Sequence, residues 1–124
     1  MEKVKWPKWP NYGENEHEAV LRVIKWNQLF AEKEVKSFEH EFAQYIKVKN
    51  VLGVGNAIQD LHLALAALNI GAGDEVISTP YSWISSASCI LMQNAVPIFC
   101  DIERYTLGIS PNKIEKNITN RTKA

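Results

Sequence analysis

Residues 53–77 read GVGNAIQDLHLALAALNIGAGDEVI. The stretch parses as a glycine turn, an apolar helix, a second glycine turn and a buried strand. Asn56 is a good helix N-cap because its side-chain oxygen can accept one of the amides that the first turn leaves free. From there Ile58, Leu61, Leu65 and Leu68 recur at helical spacing, and Ala64, Ala66 and Ala67 permit close packing. Gly71 and Gly73 are expected to end the helix. Glu75–Ser78 is then short, apolar at its centre and β-branched, as a buried strand requires.

Working outward, Val51–Val54 is a further strand candidate in front of the turn, and Thr79–Ser82 is a loop. Residues 84–93 suit a helix and Val96–Cys100 a strand, where Pro97 fits an early or edge position. Ser110-Pro111 has the form of a cap followed by proline at the first helical position, opening a helix to about Ile118. Strand, helix, strand, helix, strand, helix is the order of a parallel sheet with right-handed crossovers, so the fold class is α/β. Upstream, Ala19, Val20, Val23 and Ile24 make an apolar stripe on a helix that begins after Gly13, with Glu14, Glu16 and Glu18 suited to its first turns. A second helix covers Val35–Ile46, with Val35, Phe38, Phe42 and Tyr45 on one face. Residues 1–12 hold two Trp-Pro pairs, which disfavour helix and predict an extended arm.

The totals narrow the class of function. At 124 residues, 46% hydrophobic and 23% charged, the chain reads as one globular domain or part of one. Fourteen Lys plus Arg balance fourteen Asp plus Glu, which gives no electrostatic case for a nucleic-acid or membrane-surface partner. No run approaches the roughly 20 apolar residues of a membrane span, and MEKVKWPKWP lacks the apolar core of a secretory signal. Cys89 and Cys100 lie in apolar segments and read as buried thiols in a reducing, cytoplasmic setting. Without a secretory signal, the sequons at Asn117 and Asn120 are chance matches. Glu39-His40-Glu41 has metal-binding residue types, but neighbours point different ways round a helix, so a solvated face is expected and no metal site.

What the glycine turn holds is the functional question. In open α/β sheets, ligands sit at the carboxyl ends of the strands. Free amides of Asn56, Ala57 and Ile58 at a helix N-terminus, with the helix dipole behind them, suit a phosphate. The turn lacks the Lys-Ser/Thr of a P-loop and completes no dinucleotide fingerprint, so a tight turn with an ordinary cap competes with the anion-site reading.

The whole pattern is more specific. LHLALAALNIGAGDEVI, TPYSW, AVPIFCDIE and ITNRTKA, in that order, resemble the DegT/DnrJ/EryC1/StrS family of sugar aminotransferases. YGENEHEAVLRVI and VKSFEHEFAQYIKVKNVLGVGN are similar to the family's first two helices, and the resemblance spans about residues 12–124. It implies the N-terminal part of the large domain of a fold type I transferase, a partial three-layer sandwich with a mostly parallel sheet. Residues 1–12 would then be an arm and 13–124 an incomplete pyridoxal 5′-phosphate (PLP)-binding domain. The implied reaction moves an amino group, commonly from glutamate, to a nucleotide-linked keto sugar for polysaccharide or natural-product biosynthesis. The implied assembly is a homodimer with sites at the subunit interface.

Carried over residue by residue, the resemblance assigns the cofactor phosphate to Asn56, Ala57 and Ile58. Many members carry a hydroxyl residue where this chain has Ala57-Ile58, so backbone amides must serve here. Trp83 takes the place of the aromatic that stacks on the pyridine ring, and Ser82 stands where the family often has Thr. Trp6, Trp9 and Tyr12 match an arm near the sugar and the partner subunit. WNQLFAEKEV departs from the Ser-Gly pattern of the sugar-side loop. His62 reads as a helix-packing residue, and Asp101 as a residue that either approaches the site or caps a turn. The Schiff-base lysine falls beyond residue 124, so no catalytic residue is assigned and residues 1–124 are expected to be inactive alone. A sugar 3-dehydratase of the same family, in which histidine replaces that lysine, and a non-catalytic truncated binding module stand as alternatives.

Overall fold

A computed structural model describes residues 5–27, 30 and 33–124. The chain divides into two compact units, Met1–Gly53 and Val54–Ala124. In the first, residues 5–13 are non-helical and exposed, as the Trp-Pro pairs require. Helix α1 (Glu14–Lys25) follows, and the Glu16 carboxylate accepts the Gly13 N–H at 2.6 Å. Helix α2 (Lys33–Ile46) stacks Phe38 on Phe42 with centroids 5.5 Å apart and buries Ala43. Arg22 of α1 pairs with Glu34 of α2 at 3.2 Å and lies over the Trp26 ring. Glu39 departs from the solvated face expected of it: half-buried, it accepts the Gly53 N–H at 2.7 Å. His40 contacts the Gln44 side chain at 2.9 Å.

The second unit carries the α/β order: α3 (Ala57–Ala67), β1 (Glu75–Ser78), α4 (Ser85–Met92), β2 (Val96–Phe99) and α5 (Pro111–Asn117). β1 and β2 pair in parallel, Glu75 opposite Val96 and Ser78 opposite Phe99. Ile70, Val76, Cys89, Ile90 and Ala95 form the core, with Leu65 of α3 packed against it. Burial of both cysteines agrees with their apolar surroundings, and both are free thiols.

Three further features differ from the sequence reading. Val51–Val54 is not a strand, because no ladder partner lies beside it among the described residues; extended backbone gains a strand's stability only through a neighbour. Helix α3 ends before the glycines: Leu68 caps it and Asn69 takes the left-handed conformation at φ 55°. Asparagine tolerates that region better than most residues, so it does what Gly71 was expected to do. Finally, residues 121–124 pair in parallel with β1 on the edge opposite β2. Glu75 N–H donates to the Arg121 carbonyl at 2.9 Å, Lys123 N–H to the Glu75 carbonyl at 2.9 Å and Ile77 N–H to the Ala124 carbonyl at 2.8 Å.

That edge is fastened by side chains. Glu75 is 2% exposed and is the buried charged residue among those described. One carboxylate oxygen meets Arg121 Nη2 at 2.5 Å and the other accepts the Thr119 hydroxyl at 2.5 Å. A buried carboxylate needs such pairing, since desolvation without partners costs several kcal/mol.

Candidate functional site

The carboxyl ends of β1 and β2 open into a cavity of about 320 Å³. Thr79, Pro80, Ser82, Trp83 and Ile84 from the loop after β1 line it, with Ala87 of α4 and Phe99, the last residue of β2. Its wall is therefore largely apolar, with two hydroxyls. Trp83 is 76% exposed although it is among the largest apolar side chains in the chain. Its indole is thereby left accessible at the cavity wall.

The loop itself is ordered by short-range bonds. Tyr81 N–H donates to Thr79 Oγ1 at 3.2 Å, and Ser82 Oγ lies 2.9 Å from Ser86 Oγ. Ser86 N–H donates to the Trp83 carbonyl at 3.0 Å. The Ser78 hydroxyl donates to the Ser86 carbonyl at 3.3 Å.

At the start of α3, Asn56 Oδ1 accepts the Gln59 N–H at 3.0 Å, the N-cap bond the sequence predicts. Gly55 N–H donates to Gln59 Oε1 at 3.0 Å. A Cβ at Gly55 would stand 2.6 Å from that Oε1, so the residue at this position must stay small or displace the Gln59 amide. The amides of Ala57 and Ile58 have no acceptor among the described residues. Two free donors at the positive end of an eleven-residue helix match the needs of an anion. Asn56, Ala57 and Ile58 do not line the Trp83 cavity.

Other expected residues lie elsewhere. Trp6, Trp9 and Tyr12 belong to the first unit and are exposed, and Tyr12 lines a separate cavity there with Glu16, His17, Val20 and Leu21. His62 is half-buried along α3. Asp101 serves the turn before α5: its carbonyl accepts Ser110 N–H at 3.0 Å, and its carboxylate lies 3.8 Å from Lys113 Nζ. Sequence reasoning missed Phe99, Ile84 and Ala87 as cavity residues. The signal for Phe99 was its place at the carboxyl end of a predicted strand.

A flat, phosphorylated aromatic fits these features: an exposed indole over an apolar cavity, and unpaired amides at a helix start in the same unit. Comparison with known proteins points the same way. The sequence profile of the DegT/DnrJ/EryC1/StrS aminotransferase family matches residues 10–124. The chain is 38% identical over 126 residues to the L-glutamine:2-deoxy-scyllo-inosose aminotransferase of Streptomyces lividus, covering 96% of this chain and 30% of that protein. The crystal structure of an aminotransferase from Psychrobacter cryohalolentis superposes with a TM-score of 0.90 at 39% identity, over 96% of this chain and 31% of that one. The protein Spr1654 from Streptococcus pneumoniae, solved in its PLP form, gives a TM-score of 0.87 at 27% identity, over 92% and 29%. The chain thus spans about 30% of the length of the relatives it matches.

Proposed function

The chain belongs to the DegT/DnrJ/EryC1/StrS aminotransferase family, and from that membership we propose that it supplies the phosphate turn and the ring-stacking wall of a PLP-dependent sugar aminotransferase. The observation that carries the reading is Trp83, an exposed indole beside a cavity at the carboxyl ends of two parallel strands. When bound, PLP supplies an electron-withdrawing ring through which an amino group can pass from donor to acceptor. This chain's residues bind and orient it. The Ala57 and Ile58 amides hold the phosphate, and Asn56 keeps the turn that presents them in shape. Trp83 covers the ring face and excludes water from it, while Phe99 and Ile84 keep the rest of the wall apolar.

The acceptor in this reading is a nucleotide-linked keto sugar and the donor glutamate. The Streptomyces lividus relative is named for glutamine and a cyclic polyhydroxy ketone. That supports the broader class, an α-amino acid and a polyhydroxylated cyclic ketone. Trp6, Trp9 and Tyr12 are the residues proposed to reach the sugar in a cytoplasmic homodimer, with 13–124 as part of the cofactor-binding domain. Among the described residues no helix is long and apolar enough to cross a membrane.

The test is a PLP titration followed by absorbance. Trp83→Ala should weaken binding about fivefold, the value of one aromatic stacking contact near 1 kcal/mol, and Trp83→Phe should retain most of it. Equal affinity in all three proteins would remove Trp83 from the cofactor.

A further inference from the structure

The geometry points to Ser86 as the positioning residue that holds in place the loop carrying the Trp83 indole, a role that rests on the reading of the Trp83 cavity as the cofactor pocket. With three-quarters of its surface in solvent, Trp83 is not fixed by packing. Its position is therefore set by the loop that carries it. Ser86 ties that loop down with three groups at once. Its N–H donates to the Trp83 carbonyl at 3.0 Å, its hydroxyl pairs with the Ser82 hydroxyl at 2.9 Å, and its carbonyl accepts the Ser78 hydroxyl at 3.3 Å. Ser78 is the last residue of β1, and Ser82 immediately precedes Trp83. Ser86 itself lies in the first turn of α4, whose Cys89 and Ile90 are buried in the core. One half-buried residue of a helix anchored in the core therefore holds the strand end, the residue before the tryptophan and the tryptophan's own carbonyl.

A serine in a first helical turn commonly satisfies a free backbone group. The Ser86 hydroxyl instead meets another side chain, while the neighbouring amides of Ala87 and Ser88 donate to the Ile84 carbonyl. The helix does not need this hydroxyl. Ser86→Ala would leave both backbone bonds in place and delete only the link to Ser82. Two hydroxyls in mutual contact should also behave as a coupled pair, so removing both should do no more than removing one.

The experiment is fluorine NMR on the protein labelled with 5-fluorotryptophan, without PLP, the Trp83 resonance being assigned by its loss in Trp83→Phe. Ser86→Ala and Ser82→Ala should each move that resonance toward the position of the free amino acid and narrow it. The double variant should match either single one, and Ser86→Thr, which restores a hydroxyl, should bring it back. A resonance unmoved in both single variants, effects that add in the double variant, or failure of threonine to restore it would overturn the role. Ser82 is exposed, so its variant keeps the test sound if Ser86→Ala fails to fold. Adding PLP then separates the two readings. If PLP leaves the Trp83 resonance unmoved while the serine variants shift it, the cofactor pocket fails and the positioning role stands.

Discussion

β1 is four residues long, and its two ends live in different surroundings. At the amino end, Glu75 is sealed from water with both carboxylate oxygens occupied and both backbone groups bonded to residues 121–123. At the carboxyl end, the chain leaves the sheet through a loop whose side chains stand in solvent and whose order comes from serine and threonine hydroxyls. A distance of about 10 Å separates these conditions, at the rise of a strand. The difference shows a division of labour along one strand. The closed end buries its side chain to fix which segments are neighbours, while the open end is tied to β2 through its backbone, the Ser78 carbonyl accepting the Cys100 N–H at 2.8 Å, and leaves the side chains of the following loop accessible. Stability and binding should therefore respond to different residues.

The strongest way to break this comparison is at the closed end. Arg121→Ala leaves the Glu75 carboxylate buried with Thr119 as its remaining side-chain partner. It should destabilise the second unit by about 3 kcal/mol, the low end for breaking a buried pair because the guanidinium itself is largely exposed. Urea unfolding measures it, and a loss below about 1 kcal/mol, the value of an ordinary surface pair, would show that the closed end is not locked. Next in size, Thr119→Val deletes the hydroxyl donor to Glu75 and the acceptor for Arg121 N–H. A loss of about 1.5 kcal/mol is expected, as for a hydrogen bond to a charged group. It should come with faster hydrogen exchange at Lys123.

Ala57→Pro carries the comparison into binding. Ala57 is the first residue of α3 and Asn56 before it is extended, with φ −168° and ψ 168°. Proline is compatible with both positions, so the helix should survive while one amide disappears. PLP affinity should fall about tenfold, or 1.4 kcal/mol, with the unfolding midpoint nearly unchanged. An unaltered PLP affinity in the folded variant would detach the phosphate from this turn. Smallest of all, Trp83→Ala should change stability by no more than about 0.5 kcal/mol, as an exposed substitution does, while it weakens PLP binding. A large loss of stability there would mean that the open end also holds the sheet, and the contrast would collapse.

Local sequence carried much of this fold. Asn56 capped the helix that its side-chain chemistry predicts, Pro111 opened α5, and the alternation of β1, α4 and β2 followed from apolar runs between turn residues. Those features depend on contacts within a few positions, so spacing alone reveals them. The anion-ready amides were legible for the same reason, since any capped helix start leaves amides free. Trp83 was named from its motif, and the structure places it exposed on the wall of a cavity.

What the tertiary structure decided depends on residues far apart in the chain. Val51–Val54 has strand-like composition but no ladder partner among the described residues, and composition cannot say whether a neighbour exists. Thr119 and Arg121 read only as part of the ITNRTKA stretch, with no partner assigned, yet they meet Glu75, which lies 44 positions before Thr119. The strand reads as buried, but what would neutralise the glutamate that opens it depends on the segment that covers it. Phe99 joined the cavity only because β2 pairs in parallel and in register with β1, bringing it level with Ser78. Capping, helical stripes and turn chemistry are local and were written in the sequence. Strand partners, the burial of a charge and the convergence of two strand ends on one cavity are properties of the assembled sheet.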